Sequence, residues 1–179
     1  MARMVIDGYG QVELNNVAFR RDGRIEAQCA LSTTDFASVP AENGMVLRVK
    51  KADHEICFAD ASAANQLYAL NYSSEHMYDE RKPGLKNFKI EATNDFLPRV
   101  GYLAAGDLWT SNCVDLGSYA SAAAVASALS SGEVYAAVGT QGALVLDDAP
   151  ASVGPVIQVI KKTTMPDGQD AFQFQVLSV

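Results

Sequence analysis

Hydrophobic and polar positions alternate along this chain in short runs, and most of the runs read as β-strands divided by turn residues. The two clearest lie late in the sequence. Val156 to Thr163 and Ala171 to Leu177 are joined by Met165-Pro166-Asp167-Gly168. Phe172, Phe174 and Val176 fall on one face of the second run, and Gln173 and Gln175 on the other. Earlier, Asn43-Gly44 marks a turn, and Met45 to Val49 leads through Lys50-Lys51 to a second turn at Asp53-His54. Glu55 to Ala59 returns from it, which favours an antiparallel pair. Arg24 to Leu31, Gln66 to Tyr72 and the half-buried pattern Phe88 to Ala92 are further strand candidates. Arg99 to Ala104 and Leu108 to Val114 flank Ala105-Gly106-Asp107, and Val134 to Val138 and Ala143 to Leu146 flank Gly139-Thr140-Gln141-Gly142. Residues 73–86, ending in Lys82-Pro83-Gly84, are the most polar stretch and read as a surface loop.

Two segments break this pattern. Ser118 to Ser131 holds six alanines between Ala120 and Ala128 and predicts a helix. Ser118 is its expected cap, because a serine hydroxyl accepts an unpaired N–H of the first turn. Gly132 is expected to end it in the left-handed conformation. Tyr119, Ala122, Ala126 and Leu129 share a face at helical spacing, so small side chains would let the helix lie close on a sheet. Residues 1–23 are the second exception. Met4-Val5-Ile6 is followed by Gly8, Gly10, Asn15 and Asn16, which is too rich in turn residues for one long element. This segment is expected to be an extended N-terminal arm, packed on its own domain or on a neighbour. The fold expected is therefore mainly β, an antiparallel β-barrel or sandwich with one short Ala-rich helix at about 118–131. The arm would occupy 1–23 and a single β-rich domain 24–179.

Composition narrows what such a domain can do. With 179 residues, 49% apolar and 20% charged, the chain is of single-domain size and globular. A chain this long buries roughly 70% of its unfolded surface, so a core forms without staples. The formal net charge is −7. From Gly101 to Ile160 there is no Lys or Arg, while Asp107, Asp115, Glu133, Asp147 and Asp148 contribute five negative charges. Nucleic-acid grooves need clustered cations, so no nucleic-acid partner is expected. A basic protein surface remains an admissible partner for that acidic half. No run of about 18 apolar residues exists, so no membrane span is expected. The start of the chain lacks a signal-peptide pattern, since Asp7, Gly8 and Gly10 interrupt it. Cys29, Cys57 and Cys113 are odd in number and widely spaced, which reads as free thiols in a protein made in a reducing cytoplasm. One disulfide with one free thiol is the alternative.

The residues that could carry chemistry do not fall into a working pattern. Zinc takes about four ligands, and His54 and Cys57, three apart on a strand, face opposite sides. His76 lies in the polar loop. Asp53, His54 and Glu55 are adjacent on a tight turn and diverge, so they do not share a proton. Ser73-Ser74 and Ser130-Ser131 lack the Gly-x-Ser-x-Gly elbow, and there is no phosphate loop. Asp147-Asp148 with Asp115 lack the spacing of a calcium loop. The expectation is no catalytic residue, no metal site and no cofactor, hence not an enzyme. Trp109 is either an interface anchor or core, and strand alternation beside Tyr102 and Leu103 favours core.

The stretch Leu97-Pro98-Arg99-Val100-Gly101-Tyr102-Leu103-Ala104-Ala105-Gly106-Asp107-Leu108-Trp109-Thr110-Ser111-Asn112 resembles segments of tailed-bacteriophage virion structural proteins, most of all the capsid decoration or cement proteins. The resemblance implies a cofactor-free β-rich protein, made in the host cytoplasm and located in the virion. Its partners would be the major capsid protein and neighbouring copies of itself, as a homo-oligomer, by analogy a trimer. Deleting residues 2–20 is then expected to weaken the particle and leave the domain folded. The alternative is a free-standing ligand-binding β-barrel for a sugar or peptide, with Tyr68, Tyr72, Tyr78 and Trp109 as stacking surfaces.

Overall fold

Period-2 alternation does what the sequence asks of it: two large sheets face one another across an apolar core. The computed structural model describes residues 8–23, 27–60, 63, 66–73, 89–93 and 97–179. One sheet has seven strands in the order β1 (Val12–Asn16), β10 (Leu108–Ser111), β15 (Asp170–Ser178), β14 (Val156–Thr164), β12 (Val134–Val138), β13 (Leu144–Asp147) and β11 (Val114–Asp115). The other has six, in the order β2 (Ala27–Gln28), β9 (Arg99–Tyr102), β7 (Tyr68–Asn71), β5 (Val46–Lys50), β6 (Glu55–Phe58) and β3 (Ala30–Leu31). A two-stranded ribbon pairs β4 (Ala41–Glu42) with β8 (Lys89–Ile90). The helices are α1 (Ala18–Arg21) and α2 (Ala122–Ser131).

The first core lies between the two large sheets. Trp109, Ile157, Phe172, Phe174 and Val176 meet Val46, Tyr68 and Leu70 there. Trp109 is 0% exposed and its ring stands 5.7 Å from that of Phe174, which settles it as core. Its indole N–H has no hydrogen-bond partner, so this residue contributes through packing alone. The second core lies on the far face of the six-stranded sheet. Leu47, Ile56, Ala69 and Val100 pack there under Phe36, Ala41 and Ile90. The six-stranded sheet is thus a middle layer, apolar on both faces. That is why all four residues of β7 are buried rather than every second one.

Several expectations are corrected. The chain from residue 8 to 23 is not an appendage: β1 adds to the edge of the seven-stranded sheet, pairing Val12 with Ser111, and Val17, Ala18 and Phe19 are buried. Packing on its own domain is the alternative that holds for residues 12–19. The sheets are also not purely antiparallel. β3 pairs β6 and β11 pairs β13 in parallel, each at a sheet edge. β9 and β10, although divided only by a turn, belong to different sheets, so Leu103 to Asp107 is a crossing from one layer to the other. α2 begins at Ala122 with Ser121, not Ser118, as its cap, Ser121 Oγ accepting the Ala124 N–H at 3.2 Å. The preceding turn explains the shift. Gly117 donates its N–H to Asp115 Oδ1, and Tyr119 donates to the Leu116 carbonyl, which holds 115–119 out of the helix. Gly132 is extended, with φ −174°, and not left-handed. The buried residue of α2 is Val125, flanked by Ala122, Ala128 and Leu129, and the helix packs on β14 and β12.

The β14–β15 and β12–β13 hairpins and the β5–β6 turn lie where the sequence puts them. Among the described residues no helix is long and apolar enough to cross a membrane. The polar stretch 74–86, with His76 and Tyr78, lies outside the described residues.

Candidate functional site

Most of the described residues weighed for chemistry are used locally. His54 sits at the β5–β6 turn with φ 54°, while Asp53 pairs with Lys50. Ser73 Oγ donates to Asn71 Oδ1 at 2.5 Å and accepts the Arg99 N–H at 2.6 Å, which bridges β7 and β9. Ser130 and Ser131 hydroxyls donate to carbonyls of their own helix. Asp147 Oδ1 accepts the Asp148 N–H at 2.7 Å, and hydrogen bonds from Asp148 hold the Asp147 carboxyl below its ordinary range. Asp115 closes its own turn at Gly117. Among the described residues, no three His, Cys, Asp or Glu side chains stand together as a metal site.

All three cysteines are free, with Cys57 buried and Cys29 and Cys113 half-buried. Burial pushes the Cys113 thiol up to about 12, with the neighbouring Glu42 carboxylate adding to the shift. A raised thiol pKa means less thiolate, and the thiolate is the reactive form. At pH 8 Cys113 of the folded protein should therefore react with iodoacetamide about a thousandfold more slowly than in the denatured chain. Mass spectrometry of a labelling time course reads this directly, and equal rates in the two states would refute it.

Of the stacking surfaces expected for a ligand barrel, Trp109 and Tyr72 are in the first core, and Tyr78 lies outside the described residues. Tyr68 is buried as well, but its hydroxyl end reaches one surface feature. This is a trough of about 790 Å3 at the end of the sandwich, where β7 begins, β9 crosses to β10 and β15 ends. Leu67 and Val179 line it with Val153, exposed by 58%, 54% and 39%. Three of the six large hydrophobic side chains that the described surface exposes therefore converge on one concavity. Strand alternation accounts for the first: at the entry to β7, Tyr68 points inward and Leu67 outward.

The wall opposite Leu67 is the loop 148–155 that follows β13. Gly154 has φ +86°, and a Cβ there would stand 2.6 Å from Tyr68 Oη. Only glycine lets this loop lie against the tyrosine in that conformation. Gln66 Nε2 donates to Tyr68 Oη at 3.0 Å and fixes the rim. A second hollow of about 300 Å3 shares Tyr68, Ser152 and Val153 with the first and is lined by Asp147 as well. The arrangement suits an apolar protein surface bearing a cation. The sequence signal for it was slight, namely one outward Leu67 beside an inward Tyr68. Val153 and Val179 are brought to it by the fold alone.

The segment 97–112 is a packing element in this setting. Leu103 is buried, Trp109 fills the core and Asp107 ties the crossing. Comparison with protein-family models, with curated proteins and with solved structures finds no match to this chain.

Proposed function

We propose that this protein is a structural component of a tailed-phage particle, a decoration or auxiliary protein that binds the major capsid protein through the apolar trough. The observation that carries the reading is the convergence of Leu67, Val153 and Val179 on one concavity, beside a second hollow that Asp147 lines. Exposed aliphatic groups gathered in this way gain by being covered, each fully buried side chain contributing roughly 1.5–3 kcal/mol. The resemblance of residues 97–112 to virion proteins supports the class of particle. A rigid sandwich behind the trough costs little ordering on binding.

Gradient-purified particles from an infected culture are the test. The protein should be present at a fixed ratio to the major shell protein. A Leu67→Glu variant should keep its circular dichroism spectrum and lose the particle, because Leu67 is exposed and its change leaves the core intact. Absence of the unaltered protein from particles would overturn the reading.

A further inference from the structure

Where β1 runs into α1, the chain encloses a hollow of about 460 Å3. That is the size of a small-molecule site. One side of it is apolar, formed by Val12, Leu14, Val17 and the ring of Tyr72. These side chains are held from behind. Val12 and Leu14 pack against the first core, Val17 is buried, and Tyr72 stacks 5.0 Å from Phe19.

The other side is polar, and the hydrogen bonds within the protein decide what each group there still offers. Asn16 Oδ1 accepts from Arg21 Nη1 at 3.1 Å, which leaves the amide N–H2 of Asn16 unpaired. Asn15 Oδ1 accepts the Thr110 hydroxyl at 2.8 Å and Gln173 Nε2 at 3.3 Å, so its acceptor is used in the same way. Arg21 is tied through Nε to Asp22 Oδ1 at 2.9 Å and keeps Nη2. Arg20 is exposed, and its guanidinium has no carboxylate partner among the described residues. Neither Glu13 nor Asp22 lines the hollow, and strand alternation turns Glu13 away from Val12 and Leu14.

The uncommitted side-chain groups around the hollow are therefore donors, one of them a free cation. A ligand that satisfies them is rich in acceptors and carries negative charge. At net charge −7 the chain as a whole repels anions, so one is held only where local donors outweigh that field.

We infer that this hollow binds an organic anion, a carboxylate or phosphate group carried on an apolar body. The anionic oxygens sit on Arg20, whose planar fork matches either group, and the apolar body lies against Leu14, Val17 and Tyr72. The site shares no residue with the trough.

The test is a magnetic-resonance titration of the isotope-labelled full chain with benzoate, phenyl phosphate and benzyl alcohol, following the amide signals of residues 12–21. The three probes share a ring and differ in the head group. The acids should bind at least about tenfold more tightly than the alcohol, and the tighter of the two identifies the preferred anion. Arg20→Gln should weaken the acids by about tenfold and leave the alcohol unchanged. Arg20 is exposed, so the variant should fold, and circular dichroism checks this. An alcohol that binds as well as the acids would overturn the inference. So would undiminished affinity in Arg20→Gln, or the absence of a saturable shift with both acids. None of these outcomes touches the particle measurement, which depends on Leu67 and the trough.

Discussion

Deletion of residues 2–20 is expected to abolish the cooperative folding transition. The sequence pattern makes these residues an arm whose loss the domain should survive, but the structure reverses that expectation. The deletion removes β1, which covers the edge of β10, and with it Thr110 Oγ1 loses the Asn15 side chain and Ser111 Oγ loses the Gln11 carbonyl. It also removes Phe19, which is among the largest fully buried side chains. Phe19 stacks 5.0 Å from Tyr72 and lies against Gly101 so closely that a Cβ there would stand 2.3 Å from its ring. Phe19→Ala alone should cost about 3–5 kcal/mol. That is a large share of the roughly 5–15 kcal/mol that holds a domain together. Gly101→Ala should also destabilise, by overpacking. The two changes combined should cost less than their sum, because the new methyl group enters the space the ring leaves. Urea denaturation of the four proteins checks the coupling. A truncated chain that unfolds at the midpoint of the full chain would show the segment to be dispensable after all.

The second large effect belongs to Asp107. Its side chain is buried at the crossing from β9 to β10, where Oδ1 accepts the Ala18 N–H at 2.6 Å and Oδ2 accepts the Ala104 N–H at 2.8 Å. One carboxylate thus ties α1 to the turn between the two sheets. Its backbone adds to the knot, since the Asp107 carbonyl accepts the Val176 N–H at 3.0 Å. Asp107→Ala leaves two backbone donors without partners, each costing about 1–3 kcal/mol where it is shielded from water. A loss of about 3–5 kcal/mol is expected for the pair. Asp107→Asn should recover only part of this, because one acceptor oxygen is replaced by a donor that faces an N–H. The check is the urea midpoint at unchanged slope. An asparagine variant within about 0.5 kcal/mol of the original would show that the second bond contributes little.

Both predictions concern residues whose local sequence is unremarkable, and this marks where reading the chain succeeds and where it stops. Hairpins were legible because their information is adjacent in sequence. Phe172, Phe174 and Val176 alternate with glutamines, and the Asp167-Gly168 turn sets the register of β14 against β15 from Thr164–Asp170 to Lys161–Gln173, beyond which irregularities shift the pairing. The same holds for β5 and β6 across Asp53-His54, and for β12 and β13 across Gly139 to Gly142. α2 was legible in kind from its alanines, but its cap moved from Ser118 to Ser121. Two serines compete there, and the turn at Gly117 decides which one is free.

The candidate site was scarcely legible. Leu67, Val153 and Val179 stand far apart in the chain, and nothing about any one of them marks a surface. The tyrosines and the tryptophan, which do look like binding residues, went largely into the core. An aromatic ring is both a good stacking surface and a large apolar body, and its own sequence does not say which use the fold will make of it.

The sequence by itself determined the β class, the main hairpins, the acidic balance and the Ala-rich helix, because each depends on spacing or composition within a few residues. The tertiary structure alone decided that residues 12–19 belong to the domain, that the six-stranded sheet is buried on both faces, and that Asp107 joins two layers. It also placed β1 and β11 at opposite edges of one sheet. The physical reason is common to all of these. Local alternation says which face of a strand is apolar, but strand pairing over about a hundred residues is set by the sum of many weak contacts, and no single segment carries that sum.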